Sequence, residues 1–335
     1  MSEFLPAGYV DRPATPGDVG DLVAIINDYW ESLVGVRKIT LEEARNMLSS
    51  PGFDMAASTH VVVAPDGQIA GGIVVMDVVS PPVHPQALGA VHPQYMRQGV
   101  GTFLLHWAEA RARQAIARVP GDVRVAMQLA ASASHAPTMR LFEKMGIHPV
   151  RRSLMMVIDL DETPPAPAWP AGFVLRTYGD RPDLPAVYRA VDEAFRDHWG
   201  YVARDEAEAL RRWQSRLERD KDFDPSLWFL VTAGEEIAAV ALCATALGED
   251  REMGWVNQLG VRRPWRRQGL ALQLLYHVFA EFRRRGRKRV GLGVDAQSLT
   301  GATRLYEKAG MRVARETLDC EKELRAGREA STQAV

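Results

Sequence analysis

The sequence carries one series of motifs twice, and this repeat limits the possible folds more than any other feature. Residues 97–105 read "RQGVGTFLL" and residues 267–275 read "RQGLALQLL", so each places an Arg-Gln-Gly turn before an apolar run with helical spacing. Further along each copy, "RLFEKMGI" at 140–147 matches "RLYEKAGM" at 304–311. The paired motifs start 164 to 170 residues apart (140 to 304, and 97 to 267), which indicates small loop insertions in one shared topology.

The repeat predicts two domains, and a chain of 335 residues suits two domains of ~100–200 residues each. Each copy has an apolar–turn–apolar pattern that predicts a β-hairpin, at 61–75 and at 229–243. The alternation of helices and strands predicts an α/β fold of the layered α+β type. Between the copies the chain reads "DETPPAPAWPAG", and its prolines favour a semi-rigid linker. The predicted division is an N-terminal domain 1–160, a Pro-rich linker 161–171, a C-terminal domain 172–325 and a flexible tail 326–335.

Composition argues against several classes of protein. The formal net charge of −1 gives no reason to expect a nucleic-acid partner. Two cysteines are too few for a disulfide scaffold or a cysteine-rich zinc site, and they fit a reducing cytosol. The N-terminus lacks a signal-peptide pattern, and no apolar run reaches the ~20 residues that span a bilayer, so we expect a cytoplasmic protein without a membrane partner. The basic run "RRRGRKR" at 283–289 is interpreted as a solvated helix end, with contact to a nucleic acid or an acidic protein as the alternative.

The turn before the second repeat helix predicts a binding site for a diphosphate. From Leu270 onward apolar residues recur at helical spacing, so the helix begins just after Gly269. The first N–H groups of a helix have no partner within it, and the helix dipole adds about half a positive charge there. Gly269 lets the backbone approach a ligand closely, Ala271 is nearly as small, and Arg266 and Arg267 add positive charge. The alternative is an ordinary strand–turn–helix connection with solvated arginines, since neither the P-loop nor the dinucleotide-binding glycine motif is present.

At this turn the sequence resembles a known family. "RRQGLA" at 266–271 fits the pattern Gln/Arg-x-x-Gly-x-Gly/Ala of GNAT-family N-acetyltransferases, and "LGV" at 259–261 resembles the end of that family's fourth strand. "DAQSLTGATRLYEKAGM" at 295–311 resembles a later family motif, in which a tyrosine follows an Ala-rich helix start. Because the resemblance covers both halves, it implies two tandem GNAT acyltransferase domains, each a mixed, mostly antiparallel sheet flanked by helices. It also implies acetyl-CoA, or another acyl-CoA, as co-substrate.

The same resemblance implies which residues hold CoA, with its pyrophosphate on the glycine turn. In the second copy they are Leu259, Gly260, Val261, Arg266, Arg267, Gln268, Gly269, Leu270 and Ala271. In the first copy the matching residues are Val91, Arg97, Gln98, Gly99, Val100 and Gly101. Met96 stands there in place of Arg266, but both small residues are present, so we expect the backbone cradle in both copies.

Acyl transfer from a thioester to an amine makes three demands on a site. The amine must lose a proton, the carbonyl oxygen must be stabilised as it becomes negative, and the departing thiolate must be neutralised. By resemblance the backbone N–H of Val261 serves the oxygen, and such a fixed donor is commonly worth ~3 kcal/mol. Tyr306 is the candidate general acid, since a phenol with a pKa near ~10 can donate to a thiolate whose conjugate acid has a pKa near ~8.5. The alternative for Tyr306 is a tyrosine that only packs the helix end.

The sequence leaves the general base open. The segment "DEAFRDHWGY" at 192–201 follows the first helix of the second copy, and the resemblance implies that such a segment borders the acceptor cleft. His198 titrates in a suitable range, so we name it as base or acceptor contact, and we name Asp197 as an acceptor contact. Both residue types also cap helices, which is the alternative reading for both. Asn257 is a third candidate acceptor contact, and a water-relayed base is the alternative to His198.

The two copies differ at the candidate acid, because Phe142 occupies the position of Tyr306 and lacks the donor. We therefore predict that the first copy can bind CoA without turnover; replacement of the missing hydroxyl by Ser134 or His135 is the alternative.

The chain is predicted to be an acetyl-CoA-dependent N-acetyltransferase that needs no metal and acts in its C-terminal domain, by direct attack of a primary amine on the thioester. We expect a small-molecule acceptor and a monomer or homodimer. The rival functions are a non-catalytic CoA-binding scaffold and an enzyme that acts on a protein amine.

Overall fold

The computed structural model describes residues 5–35, 37, 39–248, 250–298 and 301–332. The chain forms two compact units. Unit 1 contains Met1–Arg152 and Thr317–Ala330, and unit 2 contains Ser153–Glu316 and Ser331–Val335.

The helices and strands alternate as the repeat predicts. The helices are α1 Val19–Val34, α2 Leu41–Leu48, α3 Met55–Ser58, α4 Val100–Arg113, α5 Ala136–Lys144, α6 Leu184–Phe195, α7 Glu206–Arg219, α8 Leu270–Arg284 and α9 Ala302–Lys308. The strands are β1 Val10–Arg12, β2 Thr59–Val63, β3 Ile69–Met76, β4 Gln86–Val91, β5 Val125–Ser132, β6 His148–Asp159, β7 Phe173–Thr177, β8 Trp228–Ala233, β9 Glu236–Ala244, β10 Met253–Val261, β11 Arg289–Asp295 and β12 Arg312–Arg325.

Each unit contains a mixed sheet. In unit 1 the strand order is β1-β2-β3-β4-β5, and residues 317–325 of β12 pair with β5. In unit 2 the order is β7-β8-β9-β10-β11, and residues 153–159 of β6 pair with β11. These pairs are antiparallel except β4 with β5 and β10 with β11, which are parallel. The predicted fold, a mostly antiparallel sheet flanked by helices in each of two tandem domains, is confirmed.

The strand that completes each sheet comes from the other half of the sequence. Residues 153–159 fall in the predicted N-terminal domain but lie beside β11 in unit 2. Residues 317–325 fall in the predicted C-terminal domain but lie beside β5 in unit 1. The compact units therefore differ from the division of the chain at the linker. Side-chain alternation determines which face of a strand is buried, but it does not say which of two similar sheets the strand joins.

In the predicted flexible tail, described residues up to Thr332 include hydrogen-bonded ones, and 333–335 lie outside the described residues. In unit 1 the N–H of Arg328 donates to the carbonyl of Asp122 at 2.7 Å, and its carbonyl accepts from the N–H of Arg124 at 2.9 Å. In unit 2 the N–H of Thr332 donates to the carbonyl of Tyr201 at 2.8 Å. Polar composition favours fraying only when the backbone lacks such partners, and the sequence does not reveal them.

Helix α8 anchors the core of unit 2 and begins at Leu270, as predicted. The apolar residues with helical spacing are buried, each at most 1% exposed: Leu270, Leu274, Leu275, Val278 and Phe282. Burial of one such side chain contributes ~1.5–3 kcal/mol, so this face fixes the helix against the sheet. The position of the helix start is thereby fixed as well. Among the described residues, no helix combines the length and the apolar character that crossing a membrane requires.

Candidate active site

Strands β10 and β11 run side by side at first and then separate. Their parallel pairing ends at Val256 and Leu292, although the strands continue to Val261 and Asp295. A β-bulge at Asn257 accompanies the separation, because the pairing of β10 with β9 skips this residue. Bulges bend a strand and redirect its groups. A cleft therefore opens between the carboxyl ends of two parallel strands.

Backbone N–H groups beyond the bulge face this cleft. The N–H of Arg262 donates to the carbonyl of Ala238 at 2.9 Å, on the β9 side. Because successive N–H groups of a strand point to opposite sides, those of Leu259 and Val261 point away from β9. They face the side on which pairing with β11 has already ended. Fixed donors of this kind can stabilise a developing negative charge on a carbonyl oxygen.

A cavity of about 100 Å³ lies in the cleft and brings together residues that the sequence analysis named separately. His198 comes from the turn after α6, Asn257 and Leu259 from β10, and Tyr306 from α9. Val261 does not line the cavity. It lies two residues beyond Leu259, which is ~6.6 Å along a strand, so of these two residues only Leu259 borders the cavity together with Tyr306. The assignment of the oxygen-binding donor to Val261 stays a prediction, and Leu259 is a second candidate for this role.

Tyr306 occupies the inner wall of this cavity. It is 7% exposed and belongs to the hydrophobic core of unit 2. Burial raises the pKa of Tyr306 to about 12, because a buried phenolate would lose its hydration. The hydroxyl is therefore protonated across the neutral range and is available as a donor.

His198 lies in a mixed electrostatic environment. Burial lowers the pKa of His198 first, and the positive charge of Arg266 lowers it further, whereas the carboxylates of Asp295 and Asp197 raise it. Its ring packs against that of Phe195, with 4.5 Å between the ring centroids. The net shift is downward, so the imidazole is mostly neutral near pH 7 and can accept a proton.

Asp295 was not named from the sequence and also lines the cavity. It ends β11, and its Oδ1 accepts a hydrogen bond from the N–H of Gln297 at 2.8 Å. The available signal was an acidic residue directly after a buried strand, at the edge where parallel strands end. The sequence pattern could not reveal that this edge faces Tyr306.

The two glycine turns have the same backbone conformation. Gly269 and Gly99 both cap a helix with a φ of 84°, and the preceding Arg267 and Arg97 have φ values of 63° and 62°. The left-handed region costs a non-glycine residue ~1–2 kcal/mol, so an unusual conformation is kept in both copies. A Cβ built on Gly269 would meet nothing within 4 Å, which leaves open space at the start of α8. The N–H groups of a helix start face such a space and favour an anion there.

The side chain of Arg266 is hydrogen-bonded to α6, to the turn that follows α6, and to the end of β10. Its Nη1 donates to Oδ2 of Asp197 at 2.7 Å, its Nε to the carbonyl of Val261 at 3.1 Å, and its Nη2 to the carbonyl of Ala194 at 3.1 Å. Asp197 also pairs with Arg263 and does not line the cavity. Arg266, which the sequence predicts as a phosphate ligand, and Asp197, which it predicts as an acceptor contact, bind each other in this structure, and both roles stay predictions. Local patterns could not show a pair that is 69 residues apart in the chain.

A larger groove of about 950 Å³ lies along α6. It has many charged side chains, but these largely pair with one another, as Arg189 does with Glu206 and Arg196 with Asp192. Neither Asn257 nor any residue of α9 lines it. The smaller cavity is therefore the better candidate for the chemistry, since it alone of the two combines a buried phenol with an imidazole.

Unit 1 has a similar backbone pattern at the end of β4 and a phenylalanine at the position of the phenol. The N–H of His92 donates to the carbonyl of Ala70 at 2.9 Å, so the N–H of Val91 points away from β3, as that of Val261 points away from β9. Phe142 is 6% exposed on α5. Its ring preserves the apolar packing and offers no donor.

The other candidate donors of unit 1, Ser134 and His135, are each hydrogen-bonded to neighbouring side chains. Oγ of Ser134 lies 2.8 Å from Oγ of Ser132, and Nδ1 of His135 lies 2.7 Å from Oγ1 of Thr138. The hydroxyl of Tyr29 lies 3.4 Å from the same His135 nitrogen. Ser134 and His135 thus take part in local networks.

The basic run at 283–289 is extensively ion-paired within unit 2. The pairs are Arg284 and Arg285 with Glu281, Arg285 with Asp224, Lys288 with Glu252, and Arg289 with Asp250. These pairs favour the reading as a solvated helix end. Within the described part of the chain, no three His, Cys, Asp or Glu side chains are grouped in a way that could hold a metal ion.

Comparison with known proteins gives consistent matches for both units. Residues 184–311 match the acetyltransferase (GNAT) family, and residues 56–146 match an acetyltransferase (GNAT) domain. The chain is 31% identical to the mycothiol acetyltransferase of Thermomonospora curvata over 268 residues, which covers 80% of this chain and 78% of that protein.

Solved structures also match almost the whole chain, and two of them illustrate this. A GCN5-related N-acetyltransferase from Sphaerobacter thermophilus is 35% identical, with a TM-score of 0.80 and coverage of 98% of this chain and 100% of that one. A tandem GNAT protein from the clavulanic acid biosynthesis pathway is 17% identical, with a TM-score of 0.66 and coverage of 96% and 100%. The second likeness concerns the fold alone.

Proposed function

Because the chain belongs to the GNAT family of acetyltransferases, we propose that it transfers an acetyl group from acetyl-CoA to a primary amine in the cavity of unit 2. The observation that carries this proposal is the meeting of Tyr306, His198 and the Leu259 N–H around one small cavity. Unit 1 has the glycine turn but Phe142 in place of the phenol. We therefore assign turnover to unit 2 and at most CoA binding to unit 1.

The start of α8 supports the placement of CoA. Its N–H groups and the exposed side chains of Arg267 and Gln268 surround the open space at Gly269, and a diphosphate supplies the matching charge. A chain that extends from the diphosphate along the open side of β10 would reach the N–H groups of Val261 and then Leu259. In this placement Val261 binds the arm of CoA and Leu259 binds the thioester oxygen.

Side chains and backbone groups of this chain account for each proton transfer in the reaction. The nitrogen of the neutral amine attacks the thioester carbon, and the carbonyl electrons move to the oxygen, which the Leu259 N–H stabilises. His198 takes the proton that the nitrogen loses. When the carbon–sulfur bond breaks, the thiolate receives a hydrogen bond and then a proton from Tyr306. The phenol is returned to its protonated form by solvent or by the imidazolium of His198.

The electrostatics suit these roles. The lowered pKa of His198 keeps its imidazole neutral and able to accept a proton near pH 7. The raised pKa of Tyr306 keeps the phenol protonated across the neutral range, so that it can donate a hydrogen bond to the sulfur. The carboxylate of Asp295 adds a negative charge to the cavity, which favours an ammonium group before its deprotonation.

A small-molecule amine is the acceptor that we propose, because the curated relatives are named mycothiol acetyltransferases. The test is thiol release from acetyl-CoA in the presence of a panel of small amines, amino sugars, cysteine derivatives and peptides. We expect turnover with at least one small amine. Tight CoA binding without turnover across the panel would favour the non-catalytic scaffold, and turnover with peptides alone would favour a protein acceptor.

A further inference from the structure

The guanidinium of Arg266 connects three parts of unit 2. Its nitrogens bind the carbonyl at the end of α6, the carboxylate in the following turn, and the carbonyl of Val261 at the end of β10. Arg266 is 29% exposed and Asp197 27% exposed at the side chain, so the pair is partly shielded from water. Charge-assisted bonds in such a setting hold geometry better than exposed ones.

Close packing supports the same junction. A Cβ on Gly260 would lie 2.9 Å from the Cβ of Ala194 and 3.0 Å from a ring carbon of Phe195. Only glycine therefore lets the end of α6 lie this close to β10. Phe195 and His198, on either side of Asp197 in the chain, both line the catalytic cavity.

From these contacts we propose that Arg266 is a positioning residue for the acceptor side of the active site, and that it does not bind the pyrophosphate. It holds the turn of residues 195–198 against the end of β10, and so fixes Phe195 and His198 beside Tyr306. The proposal rests on the proposed function, since it takes the cavity of unit 2 as the active one. The two arginines of the second glycine turn thus have different roles: Arg267 faces the phosphate side, and Arg266 faces the acceptor side.

The difference between the two units agrees with this division. Unit 1 keeps the glycine turn and an exposed Arg97 at the position of Arg267, but it has Met96 at the position of Arg266. It also has Phe142 where unit 2 has Tyr306. The arginine that faces the acceptor side occurs in the unit that has the phenol, whereas the arginine that faces the phosphate occurs in both.

The charge of Arg266 provides a readout that is independent of turnover. The charged groups that act on His198 are Arg266, which disfavours the imidazolium, and Asp295 and Asp197, which favour it. Removal of the positive charge should therefore raise the pKa of His198. A residue that only stabilised the fold would leave that pKa unchanged.

The test compares Arg266→Gln with the matched control Arg267→Gln in full-length protein. For Arg266→Gln we expect an increase of about tenfold in the KM for the acceptor, an unchanged CoA affinity by calorimetry, and a raised His198 pKa in an NMR titration. For Arg267→Gln we expect weaker CoA binding, with the acceptor KM and the His198 pKa unchanged. A loss of CoA affinity in Arg266→Gln as large as in the control, with an unchanged His198 pKa, would overturn the proposal.

Asp197→Asn keeps the test decisive if Arg266→Gln does not fold. It retains the shape of the turn and weakens the ion pair, so the acceptor KM should rise while CoA affinity stays the same. Tighter CoA binding in Asp197→Asn, with an unchanged acceptor KM, would mean that Arg266 is a phosphate ligand released by the substitution. If the wild-type protein turns over no amine, the proposed function fails, but calorimetry and the His198 titration still decide the role of Arg266.

Discussion

Replacement of Tyr306 by phenylalanine removes one hydroxyl from the cavity and leaves the ring in the core. The side chain is 7% exposed, and phenylalanine buries the same ring, so we expect stability near neutral pH to change by less than ~1 kcal/mol. Loss of a general acid commonly costs ~10²–10⁴ in rate, and a hundredfold loss corresponds to ~2.7 kcal/mol of transition-state stabilisation. CoA affinity should stay the same, because the phosphate-binding turn is untouched.

The pH dependence makes this prediction sharper. Because the pKa of Tyr306 is about 12, its hydroxyl stays protonated up to that pH, and the rate ratio of wild type to variant should be constant from pH 6 to 10. An unfolded tyrosine ionises near pH ~10, whereas the buried Tyr306 stays protonated up to about 12, so the free energy of unfolding of the wild type falls as pH rises between these two values. Wild type should therefore lose stability between pH 10 and 12 faster than the variant does.

Thiol release under saturating acetyl-CoA measures the rate, and thermal unfolding confirms that the variant is folded. Phe142→Tyr in unit 1 is the matched control, since it adds the same hydroxyl at the equivalent position; it should neither raise turnover nor rescue Tyr306→Phe. Unchanged turnover in a folded Tyr306→Phe variant would remove the phenol from the mechanism. A rate ratio that falls to one near pH 10 would show that the phenol titrates normally.

Three further substitutions test the framework of the site. Gly269→Val should abolish CoA binding to unit 2, because a β-branched residue is strained at a φ of 84° and its side chain fills the space for the diphosphate; calorimetry that shows normal affinity would refute the cradle. Gly99→Val should leave turnover largely intact, and loss of activity in a folded variant would assign a catalytic role to unit 1. Gly260→Ala should cost ~1–3 kcal/mol in unfolding free energy and raise the acceptor KM, because the added methyl meets Ala194 at 2.9 Å; chemical denaturation and steady-state kinetics measure both effects, and an unchanged acceptor KM would separate this packing from acceptor binding.

The parts of the site that depend on local sequence could be predicted. The start of α8 after Gly269 follows from helical spacing and glycine alone, whereas Tyr306 is predicted from a repeated motif together with the resemblance to the GNAT family. His198 is predicted because the resemblance implies that the segment after the first helix of the second copy borders the acceptor cleft, and the structure places this residue at the cavity. All three depend on residues that are close together in the chain.

The remaining parts depend on contacts that local patterns do not encode. Arg266 is predicted as a phosphate ligand from the family motif. Its ion pair with Asp197 depends on how α6 lies against β10, which the sequence does not show. The choice between Leu259 and Val261 depends on where β10 and β11 separate, which the bulge at Asn257 determines. In the sequence Asp295 is an ordinary residue at the end of a strand. Its place in the same cavity as Tyr306 depends on the cleft between β10 and β11.

The exchange of final strands has a consequence for how the protein can be made and divided. A gene fragment that ends in the Pro-rich linker would encode the first 160 residues without the strand 317–325 that lies beside β5, and with a strand 153–159 that belongs beside β11. During translation the sheet of unit 1 therefore stays incomplete until nearly the whole chain has left the ribosome. Single-unit versions of this enzyme would have to be built by transplanting the closing strand, since cleavage at the linker separates each sheet from its own last strand.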